Sequence, residues 1–300
     1  MARRGDTGGV VSGPIVVGVD GSAQSLQALD WALDEARLRG LPVRIVHVAL
    51  RWEYSAMAPP EPGLGAARPE EAALGVLEQA GQHARARAPE LDISTFLGIG
   101  HVPSTLLQKA SDAALLVVAA RGTGAFSGLM LGSVSRQVAE HASCPVIVVP
   151  HETDPEPRQA EVVVGVDGSE ASLDAVGFAL EEASLRGVGL RVVYVWYHPA
   201  YPRSMRPAAY NDAAIEQEGA RLLSESLIPW KARYPDVPFT EQVIQGRSPA
   251  DALSDATRDA ALLVVGARGH GGFAGLRLGS VSHAVLHRAQ GPVAVVRSLG

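Results

Sequence analysis

Residues 16–22 read VVGVDGS, and residues 163–169 read VVGVDGS again. Further along each half, ARGTGAFSGLMLGSVS at 120–135 returns as ARGHGGFAGLRLGSVS at 267–282. One offset relates both pairs: Asp20 recurs 147 positions later as Asp167, and Arg121 recurs 147 positions later as Arg268. Two segments repeating at one spacing mean a domain written twice. In both copies an apolar strand ends in Asp-Gly-Ser and a helical pattern begins. Junctions of this kind present backbone N–H groups to anions.

Working outward, the first copy predicts a strand over Ile15 to Val19, then a helix with Leu26, Leu29, Ala32, Leu33 and Ala36 on its apolar stripe. Its polar face carries Asp34, Glu35 and Arg37, with Ser22 as N-cap and Gly40 as the stop. A second strand, Val43 to Leu50, leads into a Pro- and Gly-rich crossover, Trp52 to Pro69, and a helix from about Glu70 to Arg87. Then come strand Ile93 to Ile99, helix Ser104 to Ala110, strand Leu115 to Ala119, the glycine loop, helix Ser133 to His141 and strand Val146 to Val149. The second copy repeats this from Glu161 to Arg297, with a one-residue slip where Gly100-His-Val-Pro103 faces Gly246-Arg-Ser-Pro249. The expected domains are 12–150 and 161–298, joined by the proline-rich, charged linker 151–160.

Continuous apolar strands alternating with amphipathic helices define an α/β chain: two tandem five-stranded, Rossmann-like parallel sheets, each covered on both faces. Ligands of such sheets sit at the carboxyl ends of the strands, where the strand order reverses. The DGS turn and the glycine loop both open there.

Composition narrows the chemistry. A formal net charge of −6 gives no basic footprint for nucleic acid. Apolar runs such as AALLVVAA (113–120) are too short for a membrane span, and the opening MARRGDTGGVVSG has no apolar signal core. The lone Cys144, with Gly291 at its repeat position, agrees with a reducing compartment and argues against a catalytic thiol. A cytoplasmic protein is expected. Of 26 basic residues only Lys109 and Lys231 are lysines, neither beside a glycine cluster, so lysine-dependent chemistry is not expected.

The second glycine loop runs Gly266-Ala-Arg-Gly269, nine residues, then Gly279-Ser280, a G-x2-G-x9-G-S pattern ending at a helix start. Its first half is expected to free backbone N–H groups as an anion nest, and its second half to aim a helix N-terminus at a phosphate. A Walker loop is ruled out because Leu278, not a preceding glycine with lysine, leads into Gly279-Ser280. The dinucleotide fingerprint fails too, since Ser127 and Ala274 stand where its third glycine belongs.

At these residues the chain resembles the universal stress protein family, in its ATP-binding branch and tandem form, over all but about a dozen N-terminal residues. The resemblance implies an adenine nucleotide alpha hydrolase-like fold with strand order 3-2-1-4-5 and one adenine nucleotide per half, ATP with Mg²⁺ or Mn²⁺. It places Asp20 and Asp167 on the adenosine, and backbone groups of Val48 and Val195 on adenine. Gly122, Ser133 and Val134, with Gly269, Ser280 and Val281, would hold phosphates. Gly18, Ala119, Arg121, Gly124, Gly132 and Ser135, with Gly165, Gly266, Arg268, Gly272, Gly279 and Ser282, complete the expected lining. It also implies antiparallel pairing of the last strands, 145–149 and 292–296, as an internal pseudo-dimer, with a homodimer of whole chains as a further expectation.

The first copy departs from the motif at Ala119, where a glycine is expected. A need for space there would weaken the first site; a need for positive φ would empty it. Alternatives remain for other residues. Asp20 and Asp167 also suit plain Asx turns, and Arg121 and Arg268 suit either phosphate contacts or surface ion pairs. His283 and His287 have metal-ligand spacing but lack a supporting glutamate, and read as a helix surface. Three functions follow: a nucleotide-binding regulatory protein, with unknown protein partners and at most slow hydrolysis, leads. A nucleotide-hydrolysing or adenylyl-transferring enzyme and a nucleotide-free interaction module are the alternatives.

Overall fold

The computed structural model describes residues 13–50, 69–123, 131–150, 161–197, 211–269 and 277–298. The first half runs β1 (Ile15–Gly18), α1 (Ala23–Arg39), β2 (Val43–Ala49), α2 (Pro69–Arg87), β3 (Ile93–Ile99), α3 (Val102–Lys109), β4 (Leu115–Ala119), α4 (Ser133–His141) and β5 (Val146–Val149). The second runs β6 (Val162–Gly165), α5 (Glu170–Arg186), β7 (Leu190–Trp196), α6 (Asp212–Lys231), β8 (Phe239–Gln245), α7 (Pro249–Ala256), β9 (Leu262–Gly266), α8 (Ser280–Arg288) and β10 (Val293–Val296). Helix α3 starts two residues before the expected Ser104, because Pro103 occupies its first turn, where a missing N–H costs no helical bond. The expected linker 151–160 and most of the crossover Trp52 to Pro69 lie outside the described residues.

All ten strands form one sheet, in the order β3-β2-β1-β4-β5-β10-β9-β6-β7-β8. Each half therefore has the expected 3-2-1-4-5 order, parallel throughout. The halves join where β5 pairs antiparallel with β10, Val148 opposite Val293 and Val146 opposite Val295. Strands β4, β5, β9 and β10 are buried along their whole length, as strands covered on both faces require. The outer strands β3 and β8 are half-buried to exposed and carry polar residues, which blunts the two free edges.

The pleat sends alternate residues to two apolar layers. Ile15, Val17, Leu115 and Val117 meet α1 and α2, and their counterparts Val162, Val164, Leu262 and Val264 meet α5 and α6. Val16, Leu116 and Val118 face α3 and α4, while Val163, Leu263 and Val265 face α7 and α8. Each fully buried leucine or isoleucine contributes roughly 1.5–3 kcal/mol.

Glu35 corrects the helical pattern that set it on a polar face: it is 1% exposed. Helices α1 and α5 pack side by side across the junction, and Glu35, Arg39, Glu182 and Arg186 close a ring between them. Arg39 Nε donates to Glu35 at 2.5 Å and Arg186 Nη2 to Glu35 at 2.5 Å; both arginines also pair with Glu182. The Arg39 guanidinium lies 5.6 Å from the Phe178 ring centre, and that of Arg186 lies 5.7 Å from Trp31. Each half thus lends its arginine to the other half's carboxylate and aromatic ring.

Candidate functional site

The strand-to-helix turn after β1 is built from its own short polar side chains. Gly21 takes φ +84°, a left-handed conformation that glycine alone adopts freely. The turn brings Ser22 N–H within 3.0 Å and Ser22 Oγ within 2.5 Å of Asp20 Oδ1. Ser22 caps α1 by accepting from Ser25 N–H at 3.1 Å, and the Ser25 hydroxyl donates back to Ser22 O at 2.8 Å. This is the Asx turn that a plain structural role requires. The other carboxylate oxygen goes further, accepting Thr123 N–H from the glycine loop at 2.7 Å.

Partial burial alone would raise the pKa of Asp20, but the hydrogen bonds from Ser22, Thr123 and Ser25 outweigh it and hold the carboxyl below its usual value. Asp20 is a carboxylate tied to both walls of the crevice. The second half repeats the turn: Ser169 N–H and Oγ reach Asp167 Oδ1 at 3.0 and 2.6 Å, and Gly168 again has φ +84°.

The loop glycines answer to this carboxylate. A Cβ on Gly122 would stand 2.1 Å from Asp20 Oδ2, and one on Gly269 would stand 2.2 Å from Asp167 Oδ2. Neither Gly122, Gly132, Gly269 nor Gly279 has a positive φ. Gly122 and Gly269 serve close approach to the carboxylate, not a left-handed backbone. Ala119 is settled in the same way. Gly266 has no positive φ either, and a Cβ on it would lie 2.8 Å from the backbone of Ala171. The requirement there is space, and the first half meets it with Ala119 buried against its core.

Gly132 N–H closes the loop on Ala120 O at 2.7 Å, and Gly279 N–H on Ala267 O at 2.7 Å. Ser135 and Ser282 are buried, their hydroxyls donating to Ala119 O at 2.7 Å and to Gly266 O at 2.6 Å. They brace the loop base from within. Ser133 and Ser280 lie exposed at the first position of α4 and α8. Gly132 and Gly279 cap these helices without any side-chain bond, so the first-turn N–H groups keep no internal acceptor from a cap residue. Helices α1, α5, α6 and α7 are capped by Ser22, Ser169, Asn211 and Ser248.

Gly18 and Gly165 make room behind the turn: a Cβ there would press Leu106 of α3 at 3.2 Å and Leu253 of α7 at 2.8 Å. Val48 is buried on β2 and Val195 half-buried on β7, one strand away from the turn. Beside Val48, His47 Nδ1 donates to Val19 O at 2.7 Å, which leaves its other ring nitrogen without a proton when neutral. Val134 and Val281 are half-buried in the first turns of α4 and α8. Arg121 is half-buried and Arg268 exposed. Gly124 and Gly272 lie outside the described residues.

Other candidates fall away from the crevice. Cys144 is buried, and burial pushes its thiol up to about 11, far from a reactive thiolate. The His283 and His287 rings lie 4.6 Å apart between centres, tilted by 46°. Burial, then His283, Arg136 and Arg288, keep the His287 pKa below its ordinary value. An open groove of about 800 Å³ runs along α7, lined by Gln245, Arg247, Asp255, Arg258 and Gln290 among others. Its cations are largely spent internally, Arg258 on Asp255 and Gln290, Arg288 on Asp251.

Sequence reading had no place for Ser25, Ser172 or the Glu35–Arg186 ring. Ser25 and Ser172 are the third residues after the DGS serine in a perfect repeat of polar type, which was the available signal.

Residues 12–150 and 160–297 each match the universal stress protein family. A universal stress protein of Mycobacterium bovis is 36% identical over 290 residues, covering 94% of this chain and 96% of the relative. One from Mycobacterium tuberculosis is 37% identical over 297 residues, with 94% and 96% covered. A crystal structure of a universal stress protein from Archaeoglobus fulgidus superposes with a TM-score of 0.67 at 19% identity, covering 95% of this chain and 96% of that one, a likeness of fold. No helix among the described residues is long and apolar enough to cross a membrane. The chain belongs to the universal stress protein family and carries two of its domains in tandem.

Proposed function

We propose that each half binds an adenine nucleotide, ATP with Mg²⁺ or Mn²⁺, and that occupancy, read by protein partners, is the output. The observation that carries this reading is the pinning of an ionised Asp20 to the loop beside an uncapped helix N-terminus, with the same Gly–Asp contact at Asp167. Asp20 Oδ2, which accepts one bond from Thr123 N–H, keeps a lone pair for an adenosine hydroxyl, while Oδ1 is spent on Ser22. The free N–H groups of α4 and α8, with Ser133 and Ser280, suit phosphate oxygens. The G-x2-G-x9-G-S pattern, complete in the second half, supports the same ligand.

The residues present fit the nucleotide, and the divalent ion would take its oxygens mainly from phosphates and water. The chain's own groups bind and orient. Asp20, with its depressed pKa, is a weak proton acceptor, so any hydrolysis is expected to be slow. The test is to purify the chain without added nucleotide, denature it and measure released adenine nucleotide by chromatography. Two per chain supports both sites and one supports a single site. None, with no uptake of Mg-ATP, leaves the nucleotide-free interaction module; rapid turnover favours the enzyme.

A further inference from the structure

The two crevices differ in charge. Three arginines converge at the start of α8. Arg268 follows β9, and its Cα lies 3.5 Å from where a Cβ on Gly279 would stand. Arg277 precedes that cap by two residues. Arg297 follows β10, and its Nη2 donates to Arg277 O at 3.2 Å, with further bonds to Glu140 O at 2.6 Å and Ala139 O at 3.4 Å. These last acceptors are carbonyls at the end of α4, so Arg297 is held rigidly from the first half. Burial, followed by the like charges of Arg268 and Arg277, lowers the pKa of Arg297. Among the described residues no carboxylate pairs with any of the three. In the first half the corresponding positions are Arg121, Met130 and Pro150, one cation instead of three.

Gathering guanidinium groups that no carboxylate among the described residues neutralises costs energy that a folded surface otherwise avoids, and here they flank a helix N-terminus. Their planar forks match successive phosphates, each of which adds negative charge and two or more acceptor oxygens. We propose that the second half is selective for a polyphosphate chain, the phosphates of a nucleoside di- or triphosphate lying against Arg268, Arg277 and Arg297. The first half discriminates far less between mono- and triphosphates. This rests on reading both halves as adenine-nucleotide sites.

The test uses the full chain. Gly122→Val closes the first crevice and leaves the second; Gly269→Val does the reverse. Calorimetric titration with Mg-ATP and with AMP then gives an affinity ratio for each half. The ratio of ATP to AMP is expected to be at least roughly tenfold larger in the second half, and Arg277→Met in that background to lower it roughly fivefold, the worth of one guanidinium–phosphate contact at a wet rim. Equal ratios in the two halves overturn the proposal, as does a ratio that Arg277→Met leaves untouched. Binding of inorganic tripolyphosphate to the otherwise unaltered chain, with and without Arg277→Met, separates this proposal from the nucleotide reading and needs no glycine variant to fold. If neither half takes any adenine nucleotide, the functional reading falls. Tripolyphosphate binding that weakens in Arg277→Met then still supports the arginine cluster, and no such binding overturns it.

Discussion

At the scale of single residues, the crevice is governed by how closely backbone approaches backbone. Gly266 ends β9 directly beneath the first turn of α5, where a Cβ would meet the Ala171 carbonyl carbon and oxygen at 2.8 Å and Ser172 N at 3.1 Å. Ser172 is the residue whose hydroxyl takes the Asp167 N–H, at 3.4 Å, so pushing α5 away disturbs the carboxylate as well as the packing. Gly266→Ala is expected to destabilise the chain by about 1–3 kcal/mol in urea unfolding, the usual cost of overpacking, and to weaken nucleotide uptake by the second half. The reciprocal change, Ala119→Gly, removes one methyl from a wall that already fits it and costs about 1 kcal/mol or less. Equal costs for the two would mean that space under α5 is not what the glycine provides. A harsher test concerns the loop: Gly122→Ala sets a methyl against Asp20 Oδ2, and one nucleotide per chain should be lost while the Asp167 crevice is retained.

At the scale of elements, helices α1 and α5 show what their neighbours do not, a closed ring of four charges with both carboxylates buried, Glu35 at 1% and Glu182 at 0% exposure. Removing one cation strands a buried carboxylate, so Arg186→Met is expected to cost about 3–5 kcal/mol even though methionine fills the space. The ring also bears on pH. Burial, together with Glu35 beside it, raises the Glu182 carboxyl from 4.5 to about 7 against the pull of Arg186 and Arg39. Between those values the folded chain holds a proton that the unfolded chain has released, so this group's contribution to stability drains away as pH rises from about 4.5 to 7. Glu182→Gln should flatten that part of the stability profile; an unchanged slope would assign it elsewhere. This ring was half legible in the sequence. The offset that pairs Asp20 with Asp167 also pairs Trp31 with Phe178, Glu35 with Glu182 and Arg39 with Arg186. Helical periodicity nevertheless put Glu35 on the polar side, because a period of 3.6 sorts residues by type and knows nothing of a second helix bringing counter-charges. The DGS turn and the strands were legible because local patterns decide them, whereas the strand order came from the family resemblance, since pairing between distant strands is not a local property. The roles of Gly122 and Gly269 were not legible, since their partner is a carboxylate some hundred residues away in the chain, and no local signal distinguishes a glycine needed for φ from one needed for room.

At the scale of the whole molecule, the antiparallel seam between β5 and β10 reverses strand direction, so the carboxyl ends of the strands in the two halves, and with them the two crevices, face opposite ways along the strand direction. The seam is also fully covered, all four residues of each strand being buried. Separating the halves would uncover two apolar edges, break the backbone ladder and leave Arg39 and Arg186 without the other half's carboxylates, each loss costing free energy that the covalent link does not supply. Arg297, reaching across to the Ala139 and Glu140 carbonyls, adds a further tie. The halves should therefore remain together without the chain between them. With a protease site placed within 151–160, cleavage is expected to leave both fragments co-eluting at the size of the intact 31.3 kDa chain, and unfolding followed by two probes should remain a single transition. In the Arg186→Met background the cleaved fragments should come apart at lower denaturant, because the ring contributes to holding the seam. Fragments that separate on cleavage alone, or a first half that unfolds well before the second, would show that the seam joins two independent domains and not one folding unit.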